Sequence, residues 1–283
     1  MLLGMLLIPL LDGCAKILTQ TLPPTQITAA RYLTSALILL PILFMRKGMG
    51  GLRVQNKLAH LFRALFLLGA TFCFFSAIRA IPIPNAIALV FVYPLLVTLA
   101  APFLLGEQLT KPRVFSTVLG FVGALVVLRP GMEGFEMDAL YALAAGTLFS
   151  GFVLITRTLA KSDPPFTTLT LTSVIGTVVM IPFALSGWTW PTLPELGWML
   201  GMGFFASAGH YCFIKALDHA PASQLAPFGY FEIIGATLVS YFGFNEFPDA
   251  LTWVGIGIVV SSGVLLTLSE ARPTISPESP GGD

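Results

Sequence analysis

The residue that most clearly calls for a chemical role is a glutamate inside an apolar stretch. Glu232 lies near the centre of residues 221–244, a stretch long enough to cross a bilayer. An ionisable side chain costs about 2.5–3.5 kcal/mol at the centre of a membrane helix, so it usually faces a cavity or a partner. We therefore expect Glu232 to contact a substrate. The alternatives are a carboxyl kept protonated by burial and a carboxylate paired with a basic residue for helix packing.

Polar and aromatic residues recur around Glu232 at helical spacing. Gln224, Phe228 and Glu232 are four residues apart, which predicts one face of an α-helix. Gly235 continues this face with a small residue, and Tyr230 lies between its members. We expect Gln224, Phe228, Tyr230 and Glu232 to belong to one substrate-binding wall.

Other apolar segments carry further ionisable residues. In "SAGHYCFIK", His210 could hydrogen-bond a substrate together with its neighbour Tyr211, or relay a proton, and the alternative is a satisfied core histidine. Arg31 lies about two turns into the segment 25–45 and could bind a substrate carboxylate or pair with Asp12. Asp12 could instead pair with Lys16, four residues further along the chain.

The composition places these residues in a membrane protein. The chain of 283 residues is 55% hydrophobic and only 10% charged, whereas soluble domains carry about 25% charged residues. Its mean hydropathy is +0.86 and its net charge is +1, so the lipid bilayer is an expected partner and nucleic acid is not. No Walker loop, His–Glu metal motif or catalytic triad is present in the sequence, so we expect no cofactor, no resident metal and no enzyme activity.

Ten segments are long and apolar enough to span a membrane. Eleven Lys and Arg residues fall in the loops and helix ends of one side and three on the other, so both termini are predicted to be cytoplasmic, in a bacterial inner membrane. Residues 271–283 are predicted to form a disordered cytoplasmic tail. The ten segments are 2–19, 25–45, 61–81, 84–105, 114–129, 138–159, 166–186, 195–216, 221–244 and 250–268.

The two halves of the chain resemble each other at a nearly constant offset. "KILTQTLPP" (16–24) matches "RTLAKSDPP" (157–165) at an offset of 141, and Glu107 matches Glu246 at 139. We interpret both glutamates as capping or gate-forming groups. Each half holds five predicted helices, and an odd number inverts the second half in the membrane, an arrangement typical of alternating-access transporters. Duplication for packing alone is the alternative.

The offset of 139 also extends the candidate site. It maps Gln224 onto Asn85 and Glu232 onto Tyr93, so the fourth segment carries hydrogen-bonding groups at corresponding depths. We expect Asn85 and Tyr93 to face the Glu232 wall across a central cavity. The predicted fold is an all-α integral membrane protein with ten transmembrane helices, arranged as two inverted five-helix repeats (1–137 and 138–270) around that cavity.

Several motifs are similar to those of the drug/metabolite transporter superfamily, specifically to proteins with tandem EamA domains. They are "GEQL" and "NEFP" before the last helix of each half, "AARYLTSALILLP" with Arg31, and "AIRAIP" and "ALDHAPAS", within a match over residues 1–270. The resemblance implies a compact bundle whose cavity is lined mainly by helices 1, 3, 4, 6, 8 and 9. It also implies secondary transport of a small polar solute, such as an amino acid, a carboxylate, riboflavin or an adenosylmethionine-like metabolite. Protons are a candidate coupling ion, and the protein is expected to be a monomer or a homodimer.

Two other functions compete with transport. A membrane-embedded enzyme acting on a lipid-type substrate would need clustered carboxylates, and "EGFEMD" (133–138) is the only dense acidic stretch. It lacks histidines, so we interpret it as a solvated connector. A channel or scaffolding subunit is disfavoured by the repeat and by the ionisable residues within the spans.

Overall fold

The structure, a computed structural model, describes residues 1–81, 83–128, 138–160, 162–245 and 250–270. Every regular element in these ranges is helical. Glu246, most of the acidic connector 133–138 and the tail 271–283 lie outside them, and so does the side chain of Asn85. The all-helical prediction is therefore confirmed for the described part of the chain.

The described part of the first half contains six α-helices. They are α1 (Leu2–Leu18), α2 (Pro24–Lys47), α3 (Lys57–Ala80), α4 (Ile83–Val90), α5 (Val92–Leu105) and α6 (Lys111–Leu128), with a 3₁₀ helix at Gly48–Leu52. Proline is the first residue of α2, where its fixed backbone angle suits a helix start and its missing N–H is not needed.

The second half repeats this order, with a 3₁₀ segment between its fourth and fifth α-helices. It contains α7 (Asp138–Leu159), α8 (Pro165–Leu185), α9 (Leu193–His219), α10 (Ala222–Leu225), a 3₁₀ segment (Ala226–Phe231), α11 (Glu232–Phe244) and α12 (Ala250–Glu270). α8 also starts at a proline, and Thr192 with Glu195 forms a capping box at the start of α9.

Five of the described helical stretches are long and apolar enough to cross a membrane on their own. They are Pro24–Lys47, Lys57–Ala80, Asp138–Leu159, Pro165–Leu185 and Ala222–Phe244.

Two predicted spans are interrupted rather than continuous. The span 84–105 breaks at Phe91, between α4 and α5, and the span 221–244 contains the 3₁₀ segment. Phe91 and Tyr230 occupy equivalent positions in the two halves, 139 residues apart, and their buried rings pack edge to face with centroids 5.2 Å apart. The two broken helices therefore meet at the centre of the bundle.

The strongest helix pairings all join the two halves: α1 with α9, α2 with α8, α3 with α7, and α6 with α12. Exchanging the halves turns the α1–α9 pair into the α7–α3 pair and leaves the other two pairs unchanged. The helix packing therefore has the same pseudo-two-fold pattern as the sequence repeat.

Small residues allow some of these helices to approach closely. A Cβ atom at Gly146 of α7 would lie 2.5 Å from the carbonyl oxygen of Val90 at the end of α4. A Cβ atom at Gly203 of α9 would lie 2.1 Å from the Thr34 hydroxyl oxygen of α2. Close backbone contact of this kind is a main source of helix association in membranes.

Candidate functional site

A central cavity lies between α1, α2, α3, α4, α5, α7, α9 and α11. Most of its lining is apolar, with a few polar groups that converge on the same space, which is the usual composition of a small-molecule site. The polar lining residues are Asp12, Arg31, Thr71, Tyr93, His210 and Glu232.

Arg31 provides the cationic group of the cavity. It is 4% exposed, its Nη1 donates to the Thr71 hydroxyl at 2.7 Å, and its Nη2 lies 3.2 Å from His210 Nε2. The guanidinium also stacks over the ring of Tyr32 at 4.6 Å. Because a guanidinium has five N–H donors, these contacts leave donors, including Nε, without a partner among the described residues. The group is held rigidly and can still receive an anion.

His210 positions Arg31 through both of its ring nitrogens. Nδ1 lies 3.1 Å from the Ala206 carbonyl, which can only accept, so Nδ1 carries the proton. Nε2 then accepts from Arg31. This neutral imidazole has no free nitrogen for a proton relay in this arrangement, and the interpretation as a satisfied buried histidine fits it better.

The groups around Arg31 obey the repeat. Thr71 and His210 are 139 residues apart, so equivalent positions of the two halves contact one guanidinium. Tyr93 and Glu232 are also 139 residues apart, and both line the cavity. Equivalent positions of the two halves therefore line the cavity, but the side chains at these positions differ in charge.

Asp12 and Glu232 provide two carboxyl groups. Asp12 is buried on α1, and its Oδ2 has no hydrogen-bond partner among the described residues. Glu232 is the first residue of α11, directly after the 3₁₀ segment, and its backbone N–H donates to the carbonyls of Gly229 and Tyr230. The two carboxyl groups are close enough to interact electrostatically, and no ion pair of Arg31 with either is present among the described residues. A cation or proton in the cavity would offset their repulsion.

Aromatic side chains line the remaining wall. Phe74 and Phe75 come from α3 and Phe149 from α7, and the Tyr93 ring packs edge to face on Phe149 at 4.8 Å. The buried Tyr93 hydroxyl has no hydrogen-bond partner among the described residues, so it is available to a ligand. These groups suit a solute with a flat apolar part and a polar edge.

Four residues expected at the site lie outside the cavity lining. The prediction that Gln224, Phe228 and Glu232 share one α-helical face is wrong, because residues 226–231 form a 3₁₀ segment with about 3.0 residues per turn instead of 3.6. Phe228 stacks on Phe231 at 6.1 Å, and Tyr230 packs on Phe91. Tyr211 follows His210 on α9, is 37% exposed on the outer surface and packs on Phe166.

Several lining residues were not predicted as ligand contacts. Thr71, Phe74 and Phe149 line the cavity without any charge to mark them in the sequence. The repeat offset could have identified Thr71, because it is the equivalent of His210. The two phenylalanines differ in no local way from the many other phenylalanines of the chain.

A polar network closes one end of the bundle around Glu107. Its carboxylate accepts from the backbone N–H groups of Ala222 at 2.9 Å and Ser223 at 3.0 Å, at the start of α10. Arg157 Nε lies 3.3 Å from Glu107, and Arg157 Nη1 donates to the Leu217 carbonyl at 2.6 Å. Burial raises the pKa of Glu107, but the Ser223 and Ala222 hydrogen bonds and the Arg157 charge outweigh it and hold that pKa below its usual range.

The equivalent residues make a corresponding contact at the opposite end. Lys16, the equivalent of Arg157, donates to the carbonyls of Ile78 and, at 3.1 Å, Ile81. Ile78 is itself the equivalent of Leu217 at the offset of 139. The anticipated pairing of Asp12 with Lys16 is not among the described ion pairs.

Comparison with known proteins identifies the family to which the chain belongs. The model of the EamA-like transporter family matches residues 1–129 and 137–268. An S-adenosylmethionine uptake transporter of Rickettsia bellii is 28% identical over 261 residues, which are 92% of this chain and 89% of the relative. A riboflavin transporter of Vibrio cholerae is 26% identical, covering 89% of this chain and 85% of the relative.

Two further similarities have comparable coverage. A pseudopaline exporter of Pseudomonas aeruginosa is 26% identical, covering 91% of this chain and 90% of the relative. A protein of known crystal structure superposes with a TM-score of 0.79 over 95% of each chain at 20% identity, which is a likeness of fold alone.

Proposed function

Because the chain belongs to the EamA-like transporter family, we propose that it is a secondary transporter that moves a small zwitterionic metabolite through the central cavity by alternating access. Family membership makes it a multi-pass membrane transporter of a small molecule and not an enzyme, in agreement with the sequence. The observation that carries the proposal is the convergence of Arg31, Asp12 and Glu232 on one largely apolar cavity. Ionisable groups at such a position in a membrane protein mark a substrate or ion pathway.

The proposed topology has ten crossings in two inverted five-helix repeats, with both termini in the cytoplasm. The helix pairings, which are unchanged when the halves are exchanged, support the repeat. The broken helices α4–α5 and α10–α11 occupy equivalent positions, and paired broken helices commonly form the binding site of inverted-repeat transporters. The excess of basic residues on one side supports the orientation.

The contacts of Lys16 and Arg157 fit the two gates that alternating access requires. In the proposed topology, Lys16 lies at the outer end of α1 and Arg157 at the cytoplasmic end of α7. Lys16 binds α3 and Arg157 binds α9, so both contacts connect the α1–α9 pair with the α3–α7 pair. Rocking one pair against the other would open one contact while the other stays closed.

The charges of the cavity favour a particular class of solute. Arg31 suits a carboxylate, and Asp12 with Glu232 suits one or two cationic groups. With both acids ionised the three groups sum to a charge of −1, which complements a solute with one carboxylate and two cations. S-adenosylmethionine has this pattern, with an ammonium, a sulfonium and a flat adenine for the phenylalanine wall, and the Rickettsia relatives are named for its uptake. We therefore propose S-adenosylmethionine or a closely similar amino acid as the substrate.

Riboflavin fits the same cavity less well. Its flat ring would suit Phe74 and Phe149, but it is uncharged and would leave the charges of Arg31, Asp12 and Glu232 in the cavity without partners. The two acids also support protons as the coupling ion, since either could exchange a proton for the cationic group of the solute. One chain contains the whole cavity, so a monomer is sufficient for the proposed function.

Counterflow in proteoliposomes tests the proposal. Purified protein would take up radiolabelled S-adenosylmethionine against internal unlabelled solute, with and without a pH gradient. Excess S-adenosylhomocysteine, which lacks the sulfonium charge, and riboflavin would compete weakly. Glu232→Gln would lower uptake about 10- to 100-fold, the equivalent of losing about 1.5–3 kcal/mol from a charged contact.

A matched control separates this effect from misfolding. Asp218→Asn removes a partly exposed carboxylate near Lys215 and should transport normally. Normal uptake by Glu232→Gln would exclude both the ligand and the proton role of that carboxyl. Uptake of riboflavin but not S-adenosylmethionine would exclude the proposed solute class.

A further inference from the structure

A second arginine lies within the bundle, apart from the central cavity. Arg63 of α3 has an exposed fraction of 0%. Its Nε donates to the Thr156 hydroxyl at 2.7 Å, and its Nη1 donates to the Thr168 carbonyl at 3.3 Å and to the Thr172 hydroxyl. Its Nη2 has no partner among the described residues, and none of the described ion pairs includes Arg63.

Helix packing alone does not explain such a group. A buried charge without a counter-ion is strongly disfavoured, and threonine hydroxyls and a carbonyl do not neutralise it. A neutral side chain could make the same contacts with Thr156 and Thr172 without a buried charge. The unsatisfied Nη2 donor of Arg63 therefore indicates an anionic partner that is bound for part of the time.

Arg63 is connected to the central cavity by one aromatic ring. Its guanidinium lies 4.5 Å from the centroid of the buried Phe152 ring. That ring also contacts His210, with centroids 6.2 Å apart, and His210 in turn holds Arg31. The Phe152 ring, which also packs on Phe149 and Phe213, therefore separates the surroundings of Arg31 from those of Arg63.

A second cavity lies near Arg63 on the side away from the central cavity, and His60 and Asp163 lie between them. His60, one turn earlier on α3, contacts Asp163 at 3.2 Å. Asp163 lines an open cavity with an empty volume of about 700 Å³, together with Lys47, Arg53 and Gln55. In the proposed topology this second cavity, which we call the vestibule, faces the cytoplasm.

The face of α8 next to Arg63 is polar. Thr168 and Thr172 are one turn apart, and both are buried. Each hydroxyl donates to a carbonyl of its own helix, Thr168 to Pro164 at 3.0 Å and Thr172 to Thr168 at 2.9 Å. Their oxygen lone pairs remain available to other donors, so this buried face offers hydrogen-bond acceptors to Arg63 and no counter-ion for its charge.

We propose that Arg63 is a second anion-binding site, on the cytoplasmic side of the central cavity, which binds the carboxylate of the solute between Arg31 and the vestibule. The inference rests on the transport function proposed above. It adds a second binding site on the cytoplasmic side and a path for the solute between α3 and α8. In this route the solute carboxylate passes from Arg31 to Arg63 when the Phe152 ring moves aside. Arg63 then releases it towards the vestibule.

Cysteine labelling tests the site without a transported solute. In a chain whose native cysteines are replaced, Thr172→Cys would be exposed in inside-out vesicles to an anionic methanethiosulfonate carrying a sulfonate, and separately to a cationic one carrying a trimethylammonium. Thr170→Cys is the matched control, because Thr170 is equally buried on the same helix and its hydroxyl donates to the Phe166 carbonyl. The rate ratio of the two reagents would be normalised to that of a free thiol.

We expect Thr172→Cys to react from the cytoplasmic side and Thr170→Cys to remain unreactive. The normalised ratio should favour the anionic reagent by about ten-fold or more, because a cation in a confined path concentrates anions. Adding Arg63→Gln should remove this preference, and Arg63→Lys should retain it. The ratio at Gln55→Cys in the vestibule provides a second reference that leaves Arg63 intact.

Two results would overturn the proposal. One is a Thr172→Cys that is as unreactive as Thr170→Cys, which would make Arg63 a packing residue only. The other is a normalised ratio at Thr172→Cys no higher than that at Gln55→Cys. Since labelling and counterflow are independent measurements, failure of the Arg63 site is distinguishable from failure of the transport function.

Discussion

At the scale of single residues, the site depends on how a few charges are held in an apolar bundle. Arg31 is fixed by Thr71 and His210, which are equivalent residues of the two halves. Its own equivalent at the offset of 141 is Thr172, which contacts Arg63. Arg31 therefore occupies a position whose equivalent in the other half is uncharged, and the proposed preference for a zwitterion rests on this asymmetry.

Arg31→Lys tests this at the residue scale. The ammonium of a flexible lysine side chain cannot bind Thr71 and His210 together and still offer two parallel N–H donors to a carboxylate. We expect KM for S-adenosylmethionine to rise about 10- to 100-fold, as for the loss of a charge-assisted hydrogen bond. Thermal unfolding in detergent should change little. Arg46→Lys, near the exposed end of the same helix, is the control, and an unchanged KM in Arg31→Lys would remove Arg31 from the site.

At the scale of elements, the break in the ninth span determines which residues reach the cavity. The 3₁₀ segment places Glu232 at the start of α11 and rotates Gln224 and Phe228 away. Gly229 lies within it, and a Cβ atom there would be 1.7 Å from the Tyr93 hydroxyl oxygen. The absence of a side chain at Gly229 therefore permits Tyr93 to occupy its position beside the cavity.

Gly229→Ala should displace Tyr93 and disturb its packing on Phe149. Overpacking of this kind costs about 1–3 kcal/mol, so we expect a lower unfolding temperature and weaker solute binding, measured by thermal shift with and without S-adenosylmethionine. Gly243→Ala belongs to the same span and has no atom within 4 Å of its added Cβ, so it should behave as wild type. Wild-type binding by Gly229→Ala would show that Tyr93 is not required there.

At the scale of the whole molecule, the two halves are interlocked rather than adjacent. Every one of the strongest helix pairings joins a helix of the first half to one of the second. The first half alone would expose the helix faces of Arg31 and Arg63 to lipid, and the second half alone would expose those of His210 and Glu232, which is costly.

We therefore expect residues 1–137 and 138–283 to be degraded when expressed separately and to reconstitute uptake when co-expressed. Quantitative immunoblotting of membranes and a transport assay of co-expressing cells would measure this. The co-expressed halves carrying Glu232→Gln would be the control for genuine activity. Stable accumulation of either half alone would contradict the interlocked packing.

The class of this protein follows from its composition and its internal repeat. Low charge and long apolar segments require a bilayer, and the offsets near 140 indicate a duplication whatever the details of packing. The sequence also identified Asp12, Arg31, Tyr93, His210 and Glu232 as candidates, because ionisable and polar groups are conspicuous in apolar segments, and the tertiary structure places all five around one cavity.

Contacts that depend on backbone geometry and on distant helices become visible only in the folded protein. A 3₁₀ segment has no simple sequence signature, so Gln224 and Phe228 were assigned to the wrong face. In the sequence, Arg63 is one of the eleven basic residues that the charge bias assigns to cytoplasmic loops and helix ends. Its full burial results from α7 and α8, which supply Thr156 and Thr172 from about a hundred residues away. Local periodicity contains no information about such long-range neighbours, because it reports only the helix to which a residue belongs.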